Sequence, residues 1–224
     1  MILVAAIATF FCFSAAASAR LSQVVPFRFD PYGSNLVESS WINHIGCPTG
    51  ATVYAFDGTP SPYTDAGCPT RGATDRNVQG LLLAKTGPTT NFASAGAELK
   101  GVAGEDLVDL GYDIRKFGGF ASPFGSHCGA GAPRFNVTTN FGTHFIGCAS
   151  PPPLQVAAGP GWTRLRWTPA QAFPPIPPGA DVQQILIIFD EGQDASGGPD
   201  QFGLAVLDNI AVNGTIVGQR PPSS

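Results

Sequence analysis

Four carboxylates fall within eleven residues in Asp190-Glu-Gly-Gln-Asp-Ala-Ser-Gly-Gly-Pro-Asp200, around glycines that let a backbone turn inward. Calcium takes about six to eight oxygens from carboxylates and carbonyls, so Asp190, Asp194 and Asp200 are candidate calcium ligands. The loop is neither an EF-hand nor a Gly-Gly-x-Gly-x-Asp repeat, and a solvated acidic turn joining two strands is the simpler reading. A second set is Trp162-Thr-Arg-Leu-Arg-Trp167. In a strand, alternation puts Trp162, Arg164 and Arg166 on one face, and Thr163, Leu165 and Trp167 on the other. A tryptophan exposed beside two guanidiniums can stack on a sugar ring and hold its hydroxyls or a uronic carboxylate. The alternative is a strand rim whose arginines pair with nearby Asp and whose tryptophan lies under the proline segment that follows.

Cysteine chemistry depends on the compartment. Residues 2–16 are apolar or small, and Ala17-Ser18-Ala19 before Arg20 has the small-x-small form of a signal-peptidase site. This reads 1–19 as a signal peptide of a secreted chain; it lacks a basic n-region, and a retained membrane anchor is the alternative. No other segment is long and apolar enough to cross a bilayer. Cys47, Cys68, Cys128 and Cys148 then remain in an oxidising compartment, where an even count favours disulfides. Of the three connectivities we assign Cys47 with Cys68 and Cys128 with Cys148, because each closes a Gly/Pro-rich loop of about twenty residues, worth about 3 kcal/mol. The rival is zinc held by His127, Cys128, His144 and Cys148, whose spacing lacks a CxxC knuckle.

Catalytic signals are sparse. Gly-x-Ser-x-Gly is absent, and His127 and His144 neighbour the cysteines. The glutamates Glu38, Glu98, Glu105 and Glu191 offer no pair whose separation can be read from the chain, so no catalytic residue is assigned. A net charge of −4 supplies no basic patch for nucleic acid.

The elements that must position these groups are strands. Only 12% of residues are charged while Gly reaches 28 and Pro 21, a composition of strands joined by stiffened turns. Residues 20–224 can form one all-β domain with a full core. Val24–Phe29, Ser39–Ile45 and Thr52–Phe56 read as strands, as does Leu81–Lys85. Ala93, Ala95, Ala97 and Leu99 alternate with polar residues or glycine, which implies something bulky opposite the alanines. Val108, Leu110, Tyr112 and Ile114 are expected to face the core, and Asp109, Gly111, Asp113 and Arg115 to face water. Phe135–Thr138 and Thr143–Cys148 flank a turn at Asn140-Phe141-Gly142. Val182–Phe189 is apolar on both faces and therefore central. Asn213-Gly214, between Ile210–Val212 and Thr215–Val217, tolerates the positive φ of a two-residue I′ hairpin. Asn136-Val-Thr and Asn213-Gly-Thr are formal glycosylation sequons, the exposed turn being the better acceptor in a eukaryotic host. Many short strands with polar turns imply an antiparallel two-sheet β-sandwich.

The secretion signal, the alternating strands and the closing strand Leu204-Ala-Val-Leu-Asp-Asn-Ile-Ala-Val212 together resemble the jelly-roll sandwiches of secreted carbohydrate-binding modules and galactose-binding-like domains, over the region from Leu81 onward. The resemblance implies a jelly-roll fold, a polysaccharide ligand and a structural calcium held by an acid of the last strand, here Asp208 or its neighbour Asn209. It points to a non-catalytic binding or surface-associated module, with a glycan-acting hydrolase and a structural extracellular protein as the alternatives.

Overall fold

The computed structural model describes residues 20–43, 45–46, 52–54, 60–62, 79–85, 93–116, 132–159, 162–190 and 203–218. Residues 1–19, Cys47, Cys68, His127, Cys128, Asp194 and Asp200 lie outside them. The strands are β1 (Gln23–Phe29), β2 (Val37–Asn43), β3 (Thr52–Tyr54), β4 (Pro60–Pro62), β5 (Gln79–Lys85), β6 (Ser94–Lys100), β7 (Leu110–Lys116), β8 (Arg134–Thr139), β9 (Gly142–Ile146), β10 (Leu154–Gly159), β11 (Trp162–Trp167), β12 (Val182–Phe189), β13 (Gly203–Val212) and β14 (Thr215–Val217). Among the described residues the helical element is one 3-10 turn, Pro169–Gln171, and no helix is long and apolar enough to cross a membrane.

Two antiparallel sheets carry the fold. One has the order β1-β6-β12-β8-β9, the other β10-β11-β7-β13-β5-β2 with β14 paired to β13; β3 and β4 form a separate ribbon. The chain crosses repeatedly between sheets, as in a jelly-roll sandwich, and their facing sides share one core. Ala95, Ala97, Leu99, Phe135, Val137, Ile185, Ile187 and Phe189 enter it from the first sheet, and Trp41, Leu83, Tyr112, Ile114, Leu165, Trp167 and Leu207 from the second. Leu165 and Trp167 thus point inward, as alternation requires. Tyr112, Phe135 and Trp167 form an aromatic trio across the sheets, with ring centroids 5.4 to 5.9 Å apart. Burial pushes the Tyr112 phenol far up, so it stays protonated and donates to the carbonyl of Pro133.

The small inner residues of β6 bring β2 close. Ser39 donates to the carbonyl of Gly96 at 2.6 Å, and the indole N–H of Trp41 reaches the carbonyl of Val24 at 3.0 Å. The bulk expected opposite the alanines therefore includes Trp41. β12 is central in its sheet, as its doubly apolar run predicts, and β13 lies inside the other, between β7 and β5. The closing hairpin forms at Asn213-Gly214 with φ of +50° and +72°.

Two expectations fail. Gly111, Asp113 and Arg115 do alternate with Tyr112 and Ile114, but the side away from the core does not face water: Asp113 is fully buried. Val108, expected in the core, precedes β7 and is exposed.

Candidate functional site

The face of Trp162, Arg164 and Arg166 is the outer face of the six-strand path, and all three side chains are buried, at 5%, 2% and 8% exposure. Register explains why. Arg164 lies opposite Asp113 on β7, and Asp113 lies opposite Asp208 on β13. Arg164 donates through Nε and Nη2 to the two oxygens of Asp113 at 2.7 and 2.6 Å. Asn209, at φ +48° in a bulge of β13, adds a bond from Nδ2 to Asp113 at 2.7 Å. Arg166 crosses Gly111, where a Cβ would stand 2.1 Å from the Leu165 carbonyl, and places Nη1 3.8 Å from Asp113.

Trp162 packs against Ala158 and Val206, with Leu82, Leu204 and Ile45 around them. The Arg115 guanidinium sits 5.0 Å from the centre of its ring and donates to the carbonyl of Ile45. After β2 the chain folds back over this face, where the Gly46 Cα would lie 3.0 Å from a Cβ at Gly80. The face is a second packed layer and not a sugar-facing surface, and Arg164 pairs with an Asp as the alternative reading of this strand has it. Two-residue periodicity placed its members on one face correctly but carried no information about what covers that face.

The calcium candidates separate in the same way. Asp190 directly follows β12 of the first sheet, and Asp208 is buried in β13 of the second. Asp190 accepts two bonds from Arg134, each 2.6 Å, and its carbonyl accepts Lys85 Nζ at 2.7 Å. Asp208 accepts the amide of Asn209 at 2.7 Å. Among the described residues no three His, Cys, Asp or Glu side chains are grouped to hold a metal ion. The zinc alternative fails on its described members. Cys148 is disulfide-bonded, and His144 uses Nδ1 on the Pro174 carbonyl at 2.8 Å and Nε2 on Thr139 at 3.1 Å.

Solvent-facing aromatics collect elsewhere, at the β9 edge of the first sheet. Along β9, His144 and Ile146 turn inward, so Thr143 and Phe145 turn out. The chain leaving the Pro169–Gln171 turn then runs back along β9, and Phe145 and Phe173 form an antiparallel bridge. The Phe145 amide donates to the Phe173 carbonyl at 2.9 Å, and the Phe173 amide donates back at 2.8 Å. Directly opposed antiparallel residues project to the same side, and here the two rings are 41% and 72% exposed. The His144 bond to Pro174 pins this returning segment from beneath. Phe141, at the tip of the β8–β9 hairpin, is also exposed.

Register extends the pair into a row across the sheet: Phe173, Phe145, Asn136, Leu186, Glu98, Val25. In the next row Phe27 lies over Gly96, where a Cβ would come within 2.5 Å of its ring. The outer face of this sheet therefore mixes half-buried apolar groups with amides and hydroxyls. The sequence signal for Phe145 was its parity with Thr143 and against Ile146. For Phe173 there was no local signal, because its partner is supplied by tertiary pairing.

Fold and surface define the class, a jelly-roll β-sandwich with an aromatic edge. No protein-family model matches the chain, and no curated protein matches its sequence. Among solved structures it is similar to the family 11 carbohydrate-binding module of cellulosomal cellulase Lic26A-Cel5E of Clostridium thermocellum, at 10% identity and a TM-score of 0.41 over 88% of this chain and 90% of that one. A family 11 carbohydrate-binding module from Clostridium thermocellum, in complex with a beta-1,3-1,4-mixed-linked tetrasaccharide, gives 10% identity and a TM-score of 0.42 over 90% and 92%.

Proposed function

We propose that the protein is a secreted, non-catalytic binding module whose ligand is a polysaccharide, held on the outer face of the five-stranded sheet. The observation that carries this reading is the Phe145–Phe173 pair, two large apolar side chains held side by side in solvent by reciprocal backbone bonds. Burying a phenylalanine side chain is worth about 1.5–3 kcal/mol, so leaving two out is a cost that ligand binding can recover. Their rings offer flat apolar faces to the C–H side of a sugar ring, and neighbouring Asn136, Thr138 and Thr143 offer partners for its hydroxyls. Because β9 and the reciprocal backbone bridge fix the two aromatic positions, little conformational freedom is lost on binding.

The test is co-sedimentation with a panel of insoluble polysaccharides, run on the protein and on Phe145→Ala/Phe173→Ala. Binding of the parent to at least one polymer, abolished in a double variant that melts like the parent, supports the reading. Undiminished binding by the double variant, or binding of the parent to none, contradicts it.

A further inference from the structure

We infer that the polysaccharide held on this face is uncharged, and that Asn136 is the polar residue that selects it. This deepens the reading above and rests on it. Strand alternation, continued one residue past each end of β12, places the described charged side chains Glu98, Lys100, Arg134, Asp181 and Asp190 on the outer face. All but the exposed Asp181 neutralise one another in pairs, and Asp181 adds a negative charge that disfavours an acidic ligand. Arg134 meets Asp190 through two parallel bonds of 2.6 Å, and Lys100 is ion-paired to Glu98, which also accepts Gln184 Nε2 at 3.1 Å. A uronic carboxylate or a sulfate would have to displace a carboxylate from the fork of Arg134, exchanging one bidentate pair for another at no gain. An uncharged sugar makes no such demand. The arginines that could have suggested an acidic ligand, Arg164 and Arg166, lie buried on the opposite sheet.

The second observation is an unsatisfied acceptor in the same row. Asn136 sits between Phe145 and Leu186, and its Oδ1 is buried without a hydrogen-bond partner. An acceptor left in that state costs about 1–3 kcal/mol. The residue itself is only half-buried on the solvent side of the sheet, next to the exposed ring of Phe145. A sugar stacked on Phe145 carries hydroxyl donors along its rim, and a turn of the half-buried Asn136 carboxamide about χ2 brings Oδ1 out to accept from one of them. Flanked by Phe145 and Leu186, that bond forms in an apolar setting, where it is stronger than in water. Phe145 and Phe173 then supply contact, and Asn136 supplies the choice of hydroxyl.

The experiment is native affinity electrophoresis through gels containing hydroxyethyl cellulose, galactomannan, polygalacturonate or alginate, at low and high sodium chloride. The protein, Asn136→Ala, Asn136→Thr and Phe145→Ala are compared, with thermal melts run alongside. We expect retardation by a neutral polymer, insensitive to salt, and none by the two acidic ones. Asn136→Ala and Asn136→Thr should weaken retardation about tenfold, or about 1.4 kcal/mol, without lowering the melting temperature, since Oδ1 holds no bond in the free protein. Retardation by an acidic polymer, or neutral-polymer binding that Phe145→Ala weakens and neither Asn136 variant changes, overturns this inference and leaves the polysaccharide reading standing. Failure of every polymer to retard the protein overturns both.

Discussion

Arg164 grips both oxygens of Asp113 from the adjacent strand, on a sheet face closed to solvent, although the two residues lie 51 positions apart in the chain. Removing one member of such a pair leaves the other charged and buried, which costs about 3–5 kcal/mol, whereas replacing both with apolar residues can be nearly neutral. Asp113→Ala and Arg164→Met are therefore each expected to lower stability by about that amount in urea unfolding. The double replacement Asp113→Leu/Arg164→Met should recover much of it. Single losses below about 1 kcal/mol would show that the pair is not closed to water.

Asn213 does more than turn the closing hairpin. Its Oδ1 accepts the amides of Val108 and Asp109 at 2.7 and 3.3 Å, while Nδ2 donates to Glu105 and to the carbonyl of Asp106. Asn213→Gly keeps the positive φ but loses those bonds and should cost about 1–3 kcal/mol. Asn213→Ala should cost about 1–2 kcal/mol more, through the left-handed backbone. Because Nδ2 is engaged, we expect no glycan at Asn213 in protein made by a eukaryotic secretory host. Intact mass and peptide mapping would read this out.

Acid should weaken the fold through Glu98 and Asp30. Hydrogen bonding from Lys100, then from Gln184, holds the Glu98 carboxyl below its ordinary 4.5. The amide of Ser34 chiefly, opposed by burial and helped by the amide of Asn35, holds Asp30 below 3.8. A carboxyl lowered by folding contributes stability above its unfolded value and loses it as the pH falls through the folded one. Melting temperature should thus be flat from neutrality to about pH 5 and fall below about pH 4, less steeply in Glu98→Gln/Asp30→Asn. An equal acid slope in the double variant would contradict this.

Cys148 is disulfide-bonded, and loop length predicts Cys128 as its partner. Non-reducing peptide mapping should recover the Cys128–Cys148 peptide, and reduction should lower stability by about 3 kcal/mol. A Cys148 peptide joined to Cys47 or Cys68 would refute the assignment.

Much of the architecture was legible because period-two patterning reports which residues share a face. Trp162–Trp167 formed a strand with Leu165 and Trp167 inward, Val182–Phe189 proved central, and the Asn213-Gly214 turn closed as its φ angles require. Patterning does not report what lies above a face. Arg164 looked solvent-facing because neither its partner on β7 nor the segment after β2 that covers the layer is near in sequence. The aromatic edge was hidden for the complementary reason. Phe145 could be placed outward by parity, but Phe173 joins it only when the segment after Gln171 pairs with β9.

The polysaccharide reading stands or falls at that edge. Trp41, Trp162 and Trp167 are all buried, so Phe173→Trp would place one solvent-facing indole where the ligand is expected to stack. Titrating this variant with a polymer that sediments the parent protein should shift its emission to the blue, with a saturating isotherm that Phe145→Ala weakens by about thirty-fold, the effect of losing about 2 kcal/mol at an aromatic anchor. Emission that stays unchanged while the polymer is demonstrably bound would place the ligand elsewhere and contradict the account.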